Sequence, residues 1–112
     1  MSYTAILSKQ ADADLLDVLQ YTFDNFGERQ YWLYRELIKE AIDLITETPL
    51  HIASRSRNEL ASGARTYHIS RPNFRASHIL LYRINEEKQR IEVARILHET
   101  VDIDRHLPTS FK

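Results

Sequence analysis

Thr22-Phe23-Asp24-Asn25-Phe26-Gly27-Glu28-Arg29-Gln30-Tyr31 is the stretch on which the fold turns. Upstream of Gly27, residues Leu15, Leu16, Leu19, Thr22, Phe23 and Phe26 recur at helical spacing, while Asp12, Asp14, Asp17 and Asp24 lie largely off that stripe. Downstream, Tyr31, Tyr34, Leu37, Ile38, Ala41, Ile42 and Ile45 repeat the pattern, and Arg35, Glu36, Lys39, Glu40 and Asp43 mark the wet side. Glycine takes positive φ without steric cost, so Gly27 is expected at the left-handed C′ position that ends the first helix. The second helix then starts at Glu28 or Arg29. A joint of one or two residues forces the two helices antiparallel, which predicts an αα-hairpin.

The flanks agree with this. Ser8 is placed to cap the first helix by accepting from backbone N–H groups near Ala11. Asp12 puts negative charge at the positive end of the helix dipole. Thr48-Pro49 stops the second helix, because a residue before proline is pushed out of the helical region. Before the hairpin, Tyr3 to Leu7 is a β-prone run. After it, residues 50–63 are polar, contain Ser-Arg-Ser-Arg, and read as a surface loop. From Ala64 the period changes to that of strands. Thr66 to Ile69 is one, with Arg71-Pro72-Asn73 as its turn. His78 to Ile84 is nearly continuous apolar sequence, as in a central strand covered on both faces. Asn85 to Lys88 is a polar hairpin connection, and a last strand runs from Ile91 to about His98. The order β-α-α-β-β-β predicts an α+β fold, an αα-hairpin packed on a small, mainly antiparallel sheet. Residues 1–112 are expected to form one domain.

Composition narrows the chemistry. The chain has 112 residues, 43% of them hydrophobic, with no cysteine, two glycines and three prolines. Without cysteine there is no disulfide, thiolate metal site or thiol catalysis. No apolar run is long enough to span a bilayer, and Met1 to Gln10 lacks the pattern of a secretory signal, so a cytoplasmic location with no membrane partner is expected. The net charge of −1 hides a split: residues 1–54 balance at −5 and residues 55–95 at +5, with eleven arginines among fifteen basic residues. Two halves of one fold can complement each other in this way. A basic face for an acidic partner or nucleic acid is the sharper alternative.

Catalytic and metal signatures are sparse. Gly27 and Gly63 are isolated, so no phosphate loop exists, and no serine sits in a nucleophile elbow. His98, Asp102, Asp104 and His106 form the only tight cluster of oxygen and nitrogen ligands, and they read as a solvated strand exit; no metal and no cofactor are expected. His78 opens an apolar strand, where a hydrogen-bonded histidine is the usual outcome. Arg95 is in phase with Ile91, Val93 and Leu97, so it is expected on the core face. There it needs a carboxylate or several carbonyls, as a structural pair, unless it contacts a target directly.

Several motifs together resemble one family. Ala11-Asp12-Ala13-Asp14-Leu15 with Tyr21-Thr22, then Phe26-Gly27-Glu28-Arg29-Gln30, are similar to the helical part of the RelE/ParE superfamily of bacterial toxins from type II toxin–antitoxin modules. Leu60-Ala61-Ser62-Gly63-Ala64-Arg65, the strand Ser77 to Ile84, Arg95-Ile96-Leu97-His98-Glu99, Asp102 and Arg105-His106-Leu107-Pro108 continue the likeness in order. Within the superfamily the chain is most similar to the ParE branch. That resemblance implies a toxin that is not an enzyme, binds and poisons DNA gyrase, and is neutralised by a ParD-like antitoxin, with operator DNA reached only through the antitoxin. The +5 region suits an acidic wrapping peptide, and Arg65, Arg75 and Arg83 are its candidate contacts. The RelE branch implies instead a ribosome-dependent mRNA endonuclease. For that role the sheet lacks outward lysines and a late tyrosine, leaving His98 as the one candidate acid/base group. A non-toxic remnant that only binds its antitoxin is the third reading.

Overall fold

The computed structural model describes residues 3–108 and residue 111. Its elements are β1 (Thr4–Leu7), α1 (Lys9–Phe26), α2 (Glu28–Glu47), β2 (Ser54–Ser56), β3 (Ala64–Arg71), β4 (Phe74–Asn85), β5 (Arg90–His98) and a 3₁₀ turn over Ile103–His106. The five strands lie in the order β1-β5-β4-β3-β2, antiparallel except for β1 beside β5. The α+β architecture and the β-α-α-β-β-β succession of its main elements are as read from the sequence. The polar stretch after α2 adds something to that reading. Ser54–Ser56 pairs with Tyr67, Thr66 and Arg65 as a short edge strand inside the predicted loop. Three residues carry too little periodicity to register as a strand on their own.

Gly27 does double duty at φ 87° and ψ 178°. Its N–H donates to the Phe23 carbonyl at 2.9 Å, and its carbonyl accepts from the Tyr31 N–H at 3.1 Å, so one residue closes α1 and opens α2. The φ is positive as expected, but the ψ is extended instead of left-handed helical, because a second helix must leave at once. The Ser8 hydroxyl accepts from the Ala11 N–H at 2.9 Å and donates to the Ala94 carbonyl at 2.7 Å, tying the start of α1 to β5.

The sheet has two unlike faces. Tyr67, Ile69, Leu80, Tyr82, Ile91, Val93 and Ile96 meet Ala11, Leu19, Leu37, Ile38, Ala41 and Ile45 in the main core. Burying each large apolar side chain there contributes about 1.5–3 kcal/mol. The Tyr82 hydroxyl keeps its polar end satisfied by donating to the Pro49 carbonyl at 2.6 Å. The other face carries a smaller cluster of Ala61, Ala64, Leu81, Ala94 and Phe111, flanked by Ile103 and Leu107 from the tail.

A bulge corrects the expected phase of Arg95. Leu81 pairs with Arg95 but Tyr82 pairs with Val93, so Ala94 is an extra residue in β5. Beyond it the alternation resets: Ile96 joins the helix-side core, and Arg95 lies across from Leu81 of the tail-side cluster. The stripe on α1 also differs from its reading. Leu16, Phe23 and Phe26 are exposed, at 69%, 48% and 64%, while Ala11, Leu19 and Thr22 are buried.

Candidate functional site

The tail-side face of the sheet holds the most concentrated charge. A cavity of about 630 Å³ is lined by Ala53, Arg55, His68, Ser70, Arg71, Asn73, Phe74 and Arg75. A second, of about 280 Å³, shares Ala53, Arg55, His68 and Arg75 and adds Arg57, Thr66, Ile79, Glu99 and Ile103, so the two form one groove. Alternation along β3 and β4 turns Thr66, His68, Arg75 and Ile79 away from the helices, β2 adds Arg55, and the β3–β4 turn adds Asn73 and Phe74.

Not all of its charge is available. Arg71 makes a bidentate pair with Glu40 of α2 at 2.9 and 2.6 Å, which raises the guanidinium pKa and lowers that of the carboxyl. Arg57 donates to Glu59 at 2.8 Å. Arg55 is exposed and makes no ion pair among the described residues. The Arg75 guanidinium lies against the His68 ring, its Nη2 3.0 Å from Nδ1. Nε2 of His68 lies 2.6 Å from the Ala76 carbonyl and 3.0 Å from Arg75 Nε, so both ring nitrogens face the guanidinium. His68 Nε2 also stands 3.7 Å from Glu99.

The three arginines picked from the sequence do not share one surface. Arg75 lies in the groove. Arg83 is on the same face further along, 4.5 Å above the Phe111 ring and 3.4 Å from Glu92. Arg65 lies across from Tyr82 of the helix-side core and donates to the Ser54 hydroxyl at 2.7 and 3.2 Å. Strand alternation separates them, and a list of arginines by number hides it. Arg55, His68 and Glu99 are the groove residues that sequence reasoning missed; only the pairing of β2 with β3 brings Arg55 beside them.

Arg95 is mostly buried and bidentate. Its Nε and Nη2 donate to the Asp14 carboxylate at 2.8 and 3.0 Å, and Nη1 donates to the His106 carbonyl at 3.1 Å. Asp14 also accepts from the Ile96 N–H at 3.0 Å, just past the bulge where β1 has ended. One pair thus joins α1, β5 and the tail. The hydrogen bond to Asp14 raises the Arg95 pKa.

His98 is exposed, with Nδ1 2.7 Å from the Thr100 hydroxyl. Its cross-strand partner is His78, ring to ring at 5.2 Å. His78 in turn sits 2.5 Å from the Tyr34 hydroxyl of α2. Burial, then the neighbouring His98, lowers the His78 pKa to about 4, so it is neutral at pH 7. This places His98 on the helix side, away from the arginine groove. Among the described residues, no three His, Asp or Glu side chains converge as a metal site requires.

The hairpin supplies a different kind of surface. A furrow of about 220 Å³ between its helices is lined by Leu15, Leu19, Arg35, Ile38, Lys39, Ile42 and Asp43.

This assembly of elements has known counterparts. The sequence profile of the ParE toxin of type II toxin–antitoxin systems matches residues 5–103. The chain belongs to the ParE toxin family. Toxin ParE1 of Mycobacterium tuberculosis is 33% identical over 107 residues, covering 96% of this chain and all of that protein. Toxin ParE1 of Caulobacter vibrioides is 29% identical over 101 residues, covering 90% and 94%. Among solved structures, a chain of the chromosomal ParDE system of Pseudomonas aeruginosa superposes with a TM-score of 0.70 at 18% identity, over 87% of this chain and 96% of that one. A chain of the Mycobacterium tuberculosis RelBE2 toxin–antitoxin complex does so with a TM-score of 0.59 at 23% identity, over 88% and 99%. At those identities the two superpositions speak for the shared fold of this ParE-family chain and for nothing finer. No helix in the described residues is long and apolar enough to cross a membrane.

Proposed function

We propose that this ParE-family toxin acts by binding, with DNA gyrase as its target and a ParD-like antitoxin as its neutralising partner. The observation that carries the reading is the separation of His98 from the arginine groove. RNA cleavage needs a base, an acid and phosphate stabilisation converging on one phosphodiester. His98, on the helix side, is not arranged with Arg75 and Arg83 for that task. The family match from residue 5 to residue 103 supports the same conclusion.

The antitoxin makes two kinds of contact in this reading. An extended acidic segment lies in the groove at Arg55 and Arg75. A helix lies along the hairpin furrow, over Leu15, Leu19, Ile38 and Ile42. Arg83 is a further contact at the groove's far end, and Arg65 an edge contact.

The decisive experiment adds purified toxin to gyrase and to translating ribosomes in parallel. Loss of supercoiling with accumulation of cleaved DNA, and no new mRNA cuts, is the expected result. One observation favours the ribonuclease alternative: His68, Glu99 and Arg75, two groups able to exchange protons and a cation, line a single cavity. Ribosome-bound mRNA cuts that fall roughly 10²–10⁴-fold in His68→Gln or His98→Gln would replace gyrase poisoning with cleavage.

A further inference from the structure

The free end of the helical hairpin is an aromatic surface that the fold itself does not use. From Phe23 through Glu36 no residue is buried. Tyr34, bonded to His78, and Tyr31, half-buried, pack against the main core and anchor this segment. Beyond them Tyr21 and Phe26 are each 64% exposed and Trp32 51%. Clustered aromatic surface of this kind on a small protein marks an interaction site. These rings are also held in place. Tyr21 packs edge-on to Phe26 at 6.4 Å, Phe23 to Tyr31 at 6.1 Å and Tyr31 to Trp32 at 5.1 Å, with the Arg35 guanidinium 5.6 Å over Trp32. Anchors ordered in advance lose little entropy on docking.

Charge decides the class of partner. Between Gln10 and Glu28 the chain has five acids and no base. Asp14 is spent on Arg95, and Asp12 lies in the first turn of α1, away from the tip. Asp17, Asp24 and Glu28 remain exposed near the rings, against Arg29 and an Arg35 that is engaged by Glu36 and the Trp32 ring. An acidic rim repels anionic lipid and nucleic-acid phosphate. It favours a protein that offers an apolar cleft edged with Lys and Arg. We infer that Tyr21, Phe26 and Trp32 form the surface through which this toxin docks onto such a cleft on its target protein, separate from the surfaces that hold the antitoxin. The inference rests on the toxin reading, but not on which protein is the target.

The test is a triple variant, Tyr21→Ala with Phe26→Ala and Trp32→Ala, compared with wild type on four readouts. Growth arrest on induction is expected to need at least 100-fold more toxin, since aromatic anchors carry most of an interface's affinity. Antitoxin affinity is expected to stay within about threefold, and the melting midpoint within about 2 °C, as for exposed positions. Asp17→Lys with Asp24→Lys is expected to weaken growth arrest about tenfold, by reversing the rim. Undiminished growth arrest by the folded triple variant overturns the inference, as does a wild type that arrests no growth. A loss of antitoxin affinity beyond tenfold overturns it too, by giving the tip to the antitoxin. Head-to-tail self-association of wild type, abolished in the triple variant, overturns it in favour of a second copy whose arginine groove receives the tip. Gyrase supercoiling is read separately: growth arrest that depends on the tip without gyrase inhibition sinks the gyrase assignment and leaves the docking surface standing.

Discussion

The two faces of the one sheet divide the labour of the molecule. The helix-side face, from Tyr67 and Leu80 to Val93 and Ile96, is closed by α1 and α2 and is fully apolar at its centre. The tail-side face has a small apolar patch under Phe111 and leaves the rest open as an arginine-lined groove. β3, β4 and β5 serve both faces by alternation, with β2 adding Arg55 to the groove and the bulge at Ala94 resetting the phase in β5. One face stores the stability; the other is free to carry charge that a core would not tolerate. Substitutions on the two faces should therefore differ in kind, with stability falling on one and affinity on the other.

The largest effect is expected at Leu80, completely buried at the centre of β4 on the helix side. Leu80→Ala removes buried methyl groups with little room for collapse, so denaturant unfolding should show a loss of about 2–5 kcal/mol. Arg75→Ala on the opposite face of the same strand should change stability by no more than about 0.5 kcal/mol. Comparable losses for the two variants would erase the contrast between faces.

Arg95 belongs by energetics to the helix side, although the bulge turns it the other way. Removing it leaves the Asp14 carboxylate with only the Ile96 N–H. Arg95→Ala should cost about 2–4 kcal/mol, at the lower side of what breaking a buried pair costs because both side chains keep some exposure. This is a proposal of a structural role. A variant that melts at the wild-type temperature yet loses toxicity would make Arg95 a target contact.

His78 offers a pH handle on the helix-side face. Its pKa is lowered to about 4 when folded, against an ordinary value of about 6.5, so below pH 6.5 the unfolded chain binds a proton that the folded chain refuses. The contribution is fully present above pH 6.5 and is lost as the pH falls toward 4. The loss amounts to at most about 3 kcal/mol, with the nearby His68, His98, Glu99 and Asp14 charges and the Tyr34 hydroxyl included in that environment. His78→Gln should flatten the melting temperature between pH 4 and 6.5. An unchanged slope would place the titrating group elsewhere.

Most of the fold was legible because it follows from periodicity and breakers. Gly27, Ser8 and Thr48-Pro49 punctuate the hairpin, and the switch at Ala64 announces the strands. The surfaces were less legible, for a physical reason. Period-two alternation tells which residues share a face only until a bulge intervenes, and Ala94 shifts Arg95 by one. Helical spacing marks Phe23 and Phe26 as apolar, but it does not say that the sheet ends before they can be covered. The groove required β2 to bring Arg55 next to His68, a contact between two short stretches that carry no pattern linking them.

The smallest effect on stability, and the sharpest on binding, is expected from the three arginines themselves. Arg75 faces the groove, Arg83 the far end of the same face and Arg65 the opposite side. If an acidic antitoxin segment runs along the groove, reversal to Glu should weaken its binding most at Arg75 and least at Arg65, with Arg83 between. At 0.05 M salt the Arg75→Glu loss should exceed tenfold and shrink as salt is raised, because exposed charges are screened beyond about 10 Å at 0.1 M. Arg55→Glu should behave like Arg75→Glu, since both line the same cavity and Arg55 has no ion pair among the described residues. Equal losses at Arg65 and Arg75 would mean that the antitoxin responds to overall charge and not to the groove. The division between the two faces would then hold for stability alone.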